Sequence, residues 1–497
     1  MARITCQDQA KYLASLFLDD LSDVVRENID PDFEFSRYGE KLAASQATFE
    51  ALNERLKSKN RTLIDDLLDE TMAGYLEGKH YELVGLTVPF PGNVLGAFQI
   101  ARYLRKHHPE TKILMGGGYV NTELRELKDP KVFKYIDALT YDDGELPFLR
   151  LIDHYAGQLT RDKLVRTKLL IGGTIAHIND QSAHDIPQKD VGFPTYDGLK
   201  VDSYLSILEF LNPMHRIWSD GRWNKLTLAH GCYWKKCNFC DVSLDYIGRY
   251  EASPVDLIAD RMEKLIEETG QSGFHFVDEA APPAVLRKLS ETLIKRGVQA
   301  TWWGNVRFDK QFDQGLAKLM AEAGCVAVSG GLEVASNRLL GLINKGVSVE
   351  QVARVTRDLT DSGIMVHAYL MYGFPSQTVQ ETIDSLELVR QLFEAGCLQS
   401  AFWHRFSVTA HSPVGLDPER FGVDLLGNTE TSFAKNDIPF RDRSGVNFDE
   451  LGVGLKKALY NYMNGVGFEM DVRDWFETKV PKAKIKPGFI SAVLEGV

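Results

Sequence analysis

The stretch LTLAHGCYWKKCNFCD, residues 226–241, carries three cysteines, Cys232, Cys237 and Cys240, on what is predicted to be one loop after a strand. They are half of the six cysteines in the chain. Thiolates on one short loop suit a soft metal centre, and iron–sulfur clusters are held by such thiolates. Three thiolates leave one iron of a four-iron, four-sulfur cluster without a protein ligand. The loop therefore predicts a [4Fe–4S] cluster whose open iron can bind a small molecule.

Three other interpretations of these cysteines are open. Structural zinc takes four closed ligands, commonly as two Cys/His pairs, and here only His230 lies nearby and no second CxxC is present. Buried free cysteine is common where cysteines occur singly. A disulfide is disfavoured, because an odd triplet in a chain without a secretory signature indicates a reducing compartment. We interpret Cys325 and Cys397 as structural and Cys6 as irrelevant to function.

Length and composition are those of a globular enzyme of two or three domains, with 497 residues, 44% of them hydrophobic and 25% charged. No run approaches the roughly 20 apolar residues of a membrane span, and the N-terminus lacks the order of a signal peptide. We therefore expect a cytoplasmic protein without a membrane partner. A formal net charge of -12 disfavours a general phosphate-binding surface, so nucleic acid is not an expected partner.

Changes in the hydrophobic pattern divide this α/β chain into five parts. Helical spacing of apolar residues gives way to buried strand patterns, then to a segment without clear periodicity, and then to a second run of alternating strands and helices. The parts are a helical N-terminal region (1–75), a Rossmann-like α/β domain (76–180), a linker (181–224), a partial (β/α)6 barrel (225–412) and a C-terminal helical cap (413–497).

In both α/β parts, the alternation of strand and helix patterns predicts a parallel sheet. In the first, strand patterns at Tyr81–Phe90, Lys112–Met115 and Ala138–Tyr141 alternate with helices, so the ligand edge is expected at the carboxyl ends of the strands. Gly116–Gly118 follows the second of these strands, where it either lets a backbone approach a ligand or only makes the turn. Six strands are predicted in the second part: Lys225–Ala229, Gly273–Asp278, Ala300–Phe308, Cys325–Glu333, Ile364–Pro375 and Ser400–Val408.

The cysteine loop leaves the end of the first strand of the second part, where the chemistry of a parallel α/β barrel belongs. Four further segments follow it in order at the ends of later strands, FHFVDEAAPP, WWGNVRFD, VSGGLEVASNRLLGLINKGVS and HAYLMYGFPSQTVQET. With these segments, residues 80–410 resemble the radical S-adenosylmethionine (SAM) enzymes, in particular the class that carries a cobalamin-binding domain ahead of the radical domain. The resemblance implies that SAM binds the open iron and is cleaved reductively to methionine and a 5'-deoxyadenosyl radical. It also implies an electron donor such as flavodoxin or ferredoxin.

The sequence departs from the family in two ways. Its cysteine spacing is C-x4-C-x2-C, one residue longer in the first gap than the usual C-x3-C-x2-C. The strands expected upstream in a full cobalamin-binding fold are replaced by the helical residues 8–75, and no D-x-H-x-x-G segment offers a lower axial histidine. Cobalamin binding and a degenerate domain that binds nothing are therefore both open.

The resemblance also assigns roles to residues that end strands. Phe239 resembles the aromatic residue beside the adenine, Asp278 and Glu279 the groups that hold the methionine amino group, and Arg307 and Glu333 the contacts to the carboxylate and ribose. Lys345 is a weaker candidate, and Gly373, in the Gly-Phe-Pro turn after strand five, resembles the turn near the adenine. Each has a structural alternative, namely core packing for the aromatic residue, a helix N-cap for Asp278, ion pairing for the charged residues and a tight loop for Gly373.

Candidate substrate contacts lie on strands five and six. We name His367, Tyr369 and His404 as catalytic candidates and Tyr372 and Arg405 as further ones. Alternation places His367, Tyr369 and Met371 on one face of strand five, which can be the barrel lumen. Simple core packing is the alternative for these side chains.

The sequence therefore predicts a radical SAM enzyme that acts on an unidentified small-molecule or peptide substrate. With cobalamin, methyl transfer to carbon is expected; without it, rearrangement, dehydrogenation or sulfur insertion is open. One alternative is a methylthiotransferase-like radical SAM enzyme. Another is a non-catalytic protein that binds zinc or a cofactor.

Overall fold

The computed structural model of the chain contains two parallel-sheet units, with helices before the first and after the second. Among the described residues, no helix combines the length and the apolar character that crossing a bilayer requires. The structure describes residues 5–31, 33, 48–203, 207–208, 211–219, 223–426, 433 and 435–496.

Three helices precede the first sheet, as the apolar spacing predicted. Thr5 and Thr62 cap the first and third of them, and each forms a capping box with the aspartate three residues later. Asp8, in the first of these boxes, also receives hydrogen bonds from Arg216. Residues 32 and 34–47, within the predicted helical region, lie outside the described residues. The helices are Cys6–Asn28, Phe49–Lys57 and Leu63–Leu76.

The first sheet has five strands in chain order. The first three are parallel, which confirms the prediction for this unit, and the helices Val94–His107 and Glu145–Tyr155 pack against it. The last two strands continue the sheet as an antiparallel hairpin. The strands are β1 (Leu83–Thr87), β2 (Lys112–Gly116), β3 (Ala138–Thr140), β4 (Thr167–Ile171) and β5 (Thr174–Ile178).

The hairpin of β4 and β5 was not predicted. It is closed by Gly172 and Gly173, both with positive φ. Two glycines between two apolar runs are a hairpin signal, because a two-residue turn of this kind requires left-handed backbone at both positions.

The second sheet is an open barrel of six parallel strands arranged in chain order, as the sequence predicted. Helices cover its outer face and form the largest core with it. A short antiparallel pair, β7 (Ala229–His230) with β8 (Glu251–Ala252), brackets the cysteine loop. The six strands are β6 (Asn224–Leu226), β9 (Gly273–Phe276), β10 (Thr301–Val306), β11 (Cys325–Glu333), β12 (Met365–Tyr372) and β13 (Ser400–Arg405). The outer helices are Val255–Thr269, Pro283–Arg296, Gln314–Glu322, Asn337–Ile343, Val349–Asp361 and Val379–Glu394.

The C-terminal part divides into two segments that pack against different parts of the molecule. Residues 406–426 and 433–442, as far as they are described, cross the carboxyl ends of the barrel strands and reach the first unit, where Phe433 enters the core beside Phe49. They include β14 (Val423–Leu425) and β15 (Phe440–Asp442). The helix Phe448–Met463, expected as a cap over the barrel mouth, instead packs along the edge strand β13 and the outer helical layer, because its apolar face completes that core. Phe489–Glu495 joins the same layer.

Candidate active site

Two residues with left-handed backbone conformation, one before the first cysteine and one between the first two, shape the cysteine loop. Gly231 has φ +68, and a Cβ at this position would collide with the carbonyl oxygen of Arg249. Lys235, inside the lengthened first gap of the cysteine motif, has φ +44. The extra residue of the C-x4-C spacing is therefore accommodated by a left-handed turn within the loop.

All three cysteines of the loop line one cavity of about 270 Å³ at the carboxyl ends of the strands. All six cysteines of the chain are free thiols, and Cys325 and Cys397 are buried elsewhere in the barrel core. The three loop sulfurs are not all within 4.8 Å of one another. Ligands to a single zinc ion lie about 3.8 Å apart when Zn–S is about 2.3 Å, whereas a cluster spreads its ligands over three irons. The donor set therefore fits an iron–sulfur cluster better than zinc.

The cavity is electrostatically suited to thiolates. A hydrogen bond from the Cys240 thiol lowers the pKa of Cys237 to about 7, against the effect of burial, and the cations Lys345 and Arg307 lower it further. The same contact with Cys237, followed by burial, raises the pKa of Cys240. Thiolates are the ligand form for iron, so the two cations favour cluster binding.

A buried ion pair forms one wall of the cavity. Lys345 Nζ lies 2.6 Å from Glu333 Oε1, and both side chains are almost fully buried. Glu333 has φ +62 and lies where the register between β11 and β12 shifts. Non-glycine residues held in this conformation cluster at ligand sites. Glu333 and Lys345 both line the cavity, and the ion pair engages one of the two carboxylate oxygens of Glu333.

Arg307 is held in place by aromatic and polar contacts. Its guanidinium lies 4.5 Å from the Trp234 ring centroid, and it interacts with Asp309 and the backbone carbonyl of Lys345. Gly346, next to Lys345, leaves room for the Trp234 indole, which a Cβ would overlap. This clamp connects the cysteine loop to the end of β10 and to the turn after the helix Asn337–Ile343.

The two acidic residues after β9 take different positions. Asp278 accepts hydrogen bonds from the backbone N–H groups of Leu228 and Ala229 at 2.8 to 3.0 Å, which fixes the start of the cysteine loop. Burial raises its pKa to about 6 against the effect of these amides. Glu279 lines the cavity, and burial raises its pKa too. Glu279 is thus placed for a ligand ammonium, whereas the Asp278 carboxylate contacts the protein backbone.

Of the two remaining cofactor candidates, one lines the cavity and the other does not. Phe239 lines the cavity, with Lys345 Nζ 5.7 Å from its ring centroid. Gly373 has φ +81, and its N–H donates to Gln377 Oε1 at 2.7 Å. Gly373 is not among the residues lining the cavity. Its conformation makes the turn that follows β12.

The substrate candidates of β12 and β13 alternate as predicted. Tyr369 lines the cavity and its hydroxyl donates to Asn305 Oδ1 at 3.3 Å. His367 lies deeper on the same face, and burial lowers its pKa to about 3. His404 is largely exposed, with its ring centroid 6.2 Å from that of Tyr369. Tyr372 is buried in the outer core.

Arg405, the last of these candidates, forms a surface ion pair with Asp449 of the C-terminal helix.

Sequence reasoning missed several residues of the cavity. Asn305 and Ser329 line it from β10 and β11, and Trp234 clamps Arg307. Asn305 lies on the same inner face as Trp303, and Ser329 on the same inner face as Gly331. A polar residue at an inward position of a buried strand could have identified both.

The two sheet units meet beside the cysteine loop. His230 lies 3.1 Å from Asp143, which follows β3, and 3.1 Å from Asp245. The guanidinium of Arg249 bonds both carboxylates. The three residues are close enough to hold an ion, but Arg249 already supplies the compensating charge. Hydrogen bonds to both aspartates raise the pKa of His230 to about 9 although burial opposes it. This charged junction joins the carboxyl-end edge of the first sheet to the mouth of the barrel.

Residues 226–389, which contain the cysteine loop and most of the barrel, match the radical SAM superfamily. This part of the chain is a radical SAM domain. The match fits the geometry, because it begins in β6 and includes every residue that lines the cavity. A [4Fe–4S] cluster and SAM are the cofactors of this class, and the three cysteines are the ligands that fit the cluster.

Curated relatives align with about two thirds of the chain. An uncharacterized methyltransferase of Pyrococcus horikoshii is 25% identical over 341 residues, which cover 66% of this chain and 68% of the relative. An anaerobic magnesium-protoporphyrin IX monomethyl ester cyclase of Rubrivivax gelatinosus is 24% identical over 342 residues, 66% of this chain and 57% of the relative. The aligned part thus spans little more than half the length of the cyclase.

Solved structures with both units also resemble the chain. TsrM, a radical SAM methyltransferase from Kitasatospora setae solved with cobalamin and a [4Fe–4S] cluster, superposes with a TM-score of 0.58 over 84% of each chain at 15% identity. OxsB, a cobalamin-dependent radical SAM enzyme solved with aqua-cobalamin and SAM, gives a TM-score of 0.58 over 79% of this chain and 61% of that chain at 16% identity. At these identities the likeness is one of fold.

Proposed function

We propose that this radical SAM enzyme is a cobalamin-dependent methyltransferase that transfers a methyl group to carbon in a small-molecule or peptide substrate. The observation that carries the proposal is the cavity in which the three loop cysteines meet Glu279, Arg307 and the Glu333–Lys345 pair. That cavity combines thiolates for a cluster with acidic residues and fixed cations for a zwitterionic ligand. An electron donor such as flavodoxin or ferredoxin would supply the reducing electron.

Each wall of the cavity has a distinct part in the proposed chemistry. Cys232, Cys237 and Cys240 would hold the cluster, which, when bound, supplies the electron that cleaves SAM. Glu279 would accept hydrogen bonds from the methionine ammonium, and Arg307 would offer a fixed guanidinium to the carboxylate. Glu333 would bind the ribose hydroxyls, and Phe239 would pack beside the adenine. Burial of this wall keeps water from the site where the radical forms.

Cobalamin is proposed from the placement of the first sheet. Its carboxyl-end edge opposes the barrel mouth through the junction of Asp143 with His230, and through His411, whose Nε2 is 2.9 Å from the carbonyl oxygen of Thr122. A flat macrocycle between the two edges would face the cavity. The glycine turn does not form a cradle for it, because Cβ atoms at Gly117 and Gly118 would touch the backbone of Val88 and Pro89 at 2.8 to 2.9 Å. The corrinoid is therefore proposed to contact this edge without a dedicated glycine loop.

The test begins with anaerobic purification and cluster reconstitution. We expect a brown protein with about four irons per chain, bleached by dithionite, that forms 5'-deoxyadenosine or S-adenosylhomocysteine from SAM. Corrinoid absorbance in protein loaded with hydroxocobalamin tests the second cofactor. Cys237→Ala should lose the iron, while Cys325→Ala, a matched change at a buried cysteine away from the cavity, should keep it.

A colourless protein that retains zinc would refute the radical function. A brown protein that cleaves SAM without retaining corrinoid would refute only the methyltransferase assignment. It would then favour a radical reaction that needs SAM alone, including methylthiolation.

A further inference from the structure

A row of polar side chains crosses the interior of the barrel beneath the cavity. Strand pairing aligns Asn305 of β10 with Ser329 of β11, Ser329 with His367 of β12, and His367 with Ser400 of β13. The four residues alternate with outward residues of the core, so their side chains share the inner face of the sheet. We call these four residues the polar row.

The layer below the polar row is apolar on β10, β11 and β12, while on β9 it holds His275, whose ring stacks on Trp303. Trp303, Ala327 and Met365 occupy the next inward position on the same three strands and pack with Met214 and Ile217. The layer above holds the charged groups of the cavity. Asn305 and Ser329, the two residues of the row that line the cavity, are therefore its floor, between its charged mouth and the packed layer below.

Ser329 is the residue of the row that lacks a partner. Its side chain is fully buried, it lines the cavity, and its Oγ makes no hydrogen bond in the described structure. A buried hydroxyl without a partner costs about 1–3 kcal/mol. Asn305 also lines the cavity, and it is already bonded to the carbonyl oxygen of Asp278 and to the Tyr369 hydroxyl. A fold that keeps the Ser329 hydroxyl at the floor of an open cavity offers it to a bound molecule.

The row carries no charge. Its only titratable member, His367, is buried and lies 3.0 Å from Ser400 Oγ. Burial lowers the pKa of His367 to about 3, which keeps the imidazole neutral. Ligand groups that match such a floor are neutral and hydrogen-bonding, because an ionised group would lie buried without a counter-charge.

We propose that Ser329, with Asn305 beside it, is a substrate-specificity contact that binds a neutral hydrogen-bonding group, such as an amide, hydroxyl or ring N–H, of the substrate. The inference rests on the proposed function, because it takes the cavity floor as the place where the substrate meets the radical. The inference goes beyond the proposed function by naming the chemistry of the substrate group that the barrel recognises. A substrate whose buried end is a carboxylate, a phosphate or a bare hydrocarbon is excluded.

The test uses three fragments of one shape with the full-length protein, its cluster reconstituted and SAM present. Benzamide offers a neutral amide, benzoate a charge and toluene no polar group. Saturation-transfer NMR titrations give each dissociation constant under anaerobic conditions. We expect benzamide to bind most tightly and Ser329→Ala to weaken it about fivefold, the equivalent of one hydrogen bond. Toluene should bind Ser329→Ala at least as well as the wild type.

Ser290 offers a matched control. It is also a fully buried serine whose Oγ has no partner in the described structure, but it lies on an outer helix away from the cavity. Both Ser329→Ala and Ser290→Ala should raise Tm by about 1–2 °C, because each removes an unpaired polar atom. Only Ser329→Ala should weaken benzamide. If Ser329→Ala fails to retain the cluster, Asn305→Ala, which removes the amide that lines the cavity beside Ser329, is expected to weaken benzamide in its place.

The proposal is overturned if benzoate or toluene binds as tightly as benzamide, if no fragment binds, or if Ser329→Ala leaves the benzamide affinity unchanged. It is also overturned if benzamide binds only when SAM is omitted, because the site would then be that of SAM. These outcomes are distinct from failure of the radical function. A protein that forms 5'-deoxyadenosine but binds the fragments indifferently refutes only the specificity contact. A protein that binds benzamide through Ser329 but never cleaves SAM refutes only the enzyme.

Discussion

Replacing Lys345 by methionine should destabilise the barrel far more than the loss of one ion pair on the surface. Lys345 and Glu333 are 7% and 8% exposed, and their charged atoms are 2.6 Å apart. Burial lowers the pKa of Lys345, but the Glu333 carboxylate and then Cys237 more than offset this and raise it. Removing one partner leaves a buried charge without compensation, which costs about 3–5 kcal/mol. The Lys345→Met change keeps the length and apolar packing of the stem, so the loss reports on the charge.

A double-mutant cycle separates the charge term from packing. Lys345→Met and Glu333→Gln should each cost about 3–5 kcal/mol, and the double variant should cost much less than their sum because neither charge then remains. The matched control is Arg357→Met, which breaks a surface pair with Asp361 at 2.9 Å whose side chains are each 44% exposed. That change should cost less than about 1 kcal/mol.

The assay is urea unfolding of the cluster-free protein, followed by tryptophan fluorescence, since Trp302, Trp303 and Trp403 all lie in the barrel. The reasoning is refuted if Lys345→Met costs no more than Arg357→Met, or if the free energies of the two single variants add up to that of the double variant. Loss of 5'-deoxyadenosine formation in Lys345→Met would not by itself support this reasoning about stability, because activity also depends on ligand contacts.

Two further predictions concern the cysteine loop and the junction between the units. Gly231→Ala should sharply reduce iron incorporation, because the added Cβ collides with the Arg249 carbonyl, while Gly270→Ala, at φ +67 with open space around it, should reduce iron content little; equal iron in the two variants would contradict this. Burial raises the pKa of Glu123 from 4.5 to about 7, so its stabilising contribution is full below pH 4.5 and is lost as the pH rises towards and through 7. The urea midpoint should therefore fall less between pH 5.5 and 7.5 in Glu123→Gln than in the wild type. The control Glu110→Gln, at an exposed glutamate elsewhere in the first unit, should keep the wild-type slope; parallel slopes in all three would exclude Glu123 as the source.

Local patterns revealed the elements and the metal-ligating loop. The spacing of Cys232, Cys237 and Cys240, and the alternation of strands and helices, depend only on neighbouring residues, and both sheets follow them. The Gly172–Gly173 turn was equally local and could have been recognised. These features are encoded within short segments of the chain.

The site could be predicted only in part because its contacts depend on backbone placement. Asp278 and Glu279 are adjacent in sequence, yet one bonds the amides of the cysteine loop and the other lines the cavity. Ser329 lies in a strand that reads as uniformly buried, and only strand register places it beside Asn305 and His367. The side on which a strand-end residue lies is decided by tertiary packing.

The contact of Phe433 with the first unit has a consequence for how the chain reaches its native state. Phe433 shares a core with Phe49, and Lys435 and Asn436 donate their backbone N–H groups to Glu123, more than 300 positions earlier. During synthesis, the strands of the first sheet can form early. Until most of the barrel has left the ribosome, however, the core of this unit lacks the Phe433 ring, and the Glu123 carboxylate lacks its two backbone donors. Contacts this distant in sequence slow folding. We therefore expect the nascent first unit to remain open to proteases and chaperones until the segment that crosses the barrel mouth arrives.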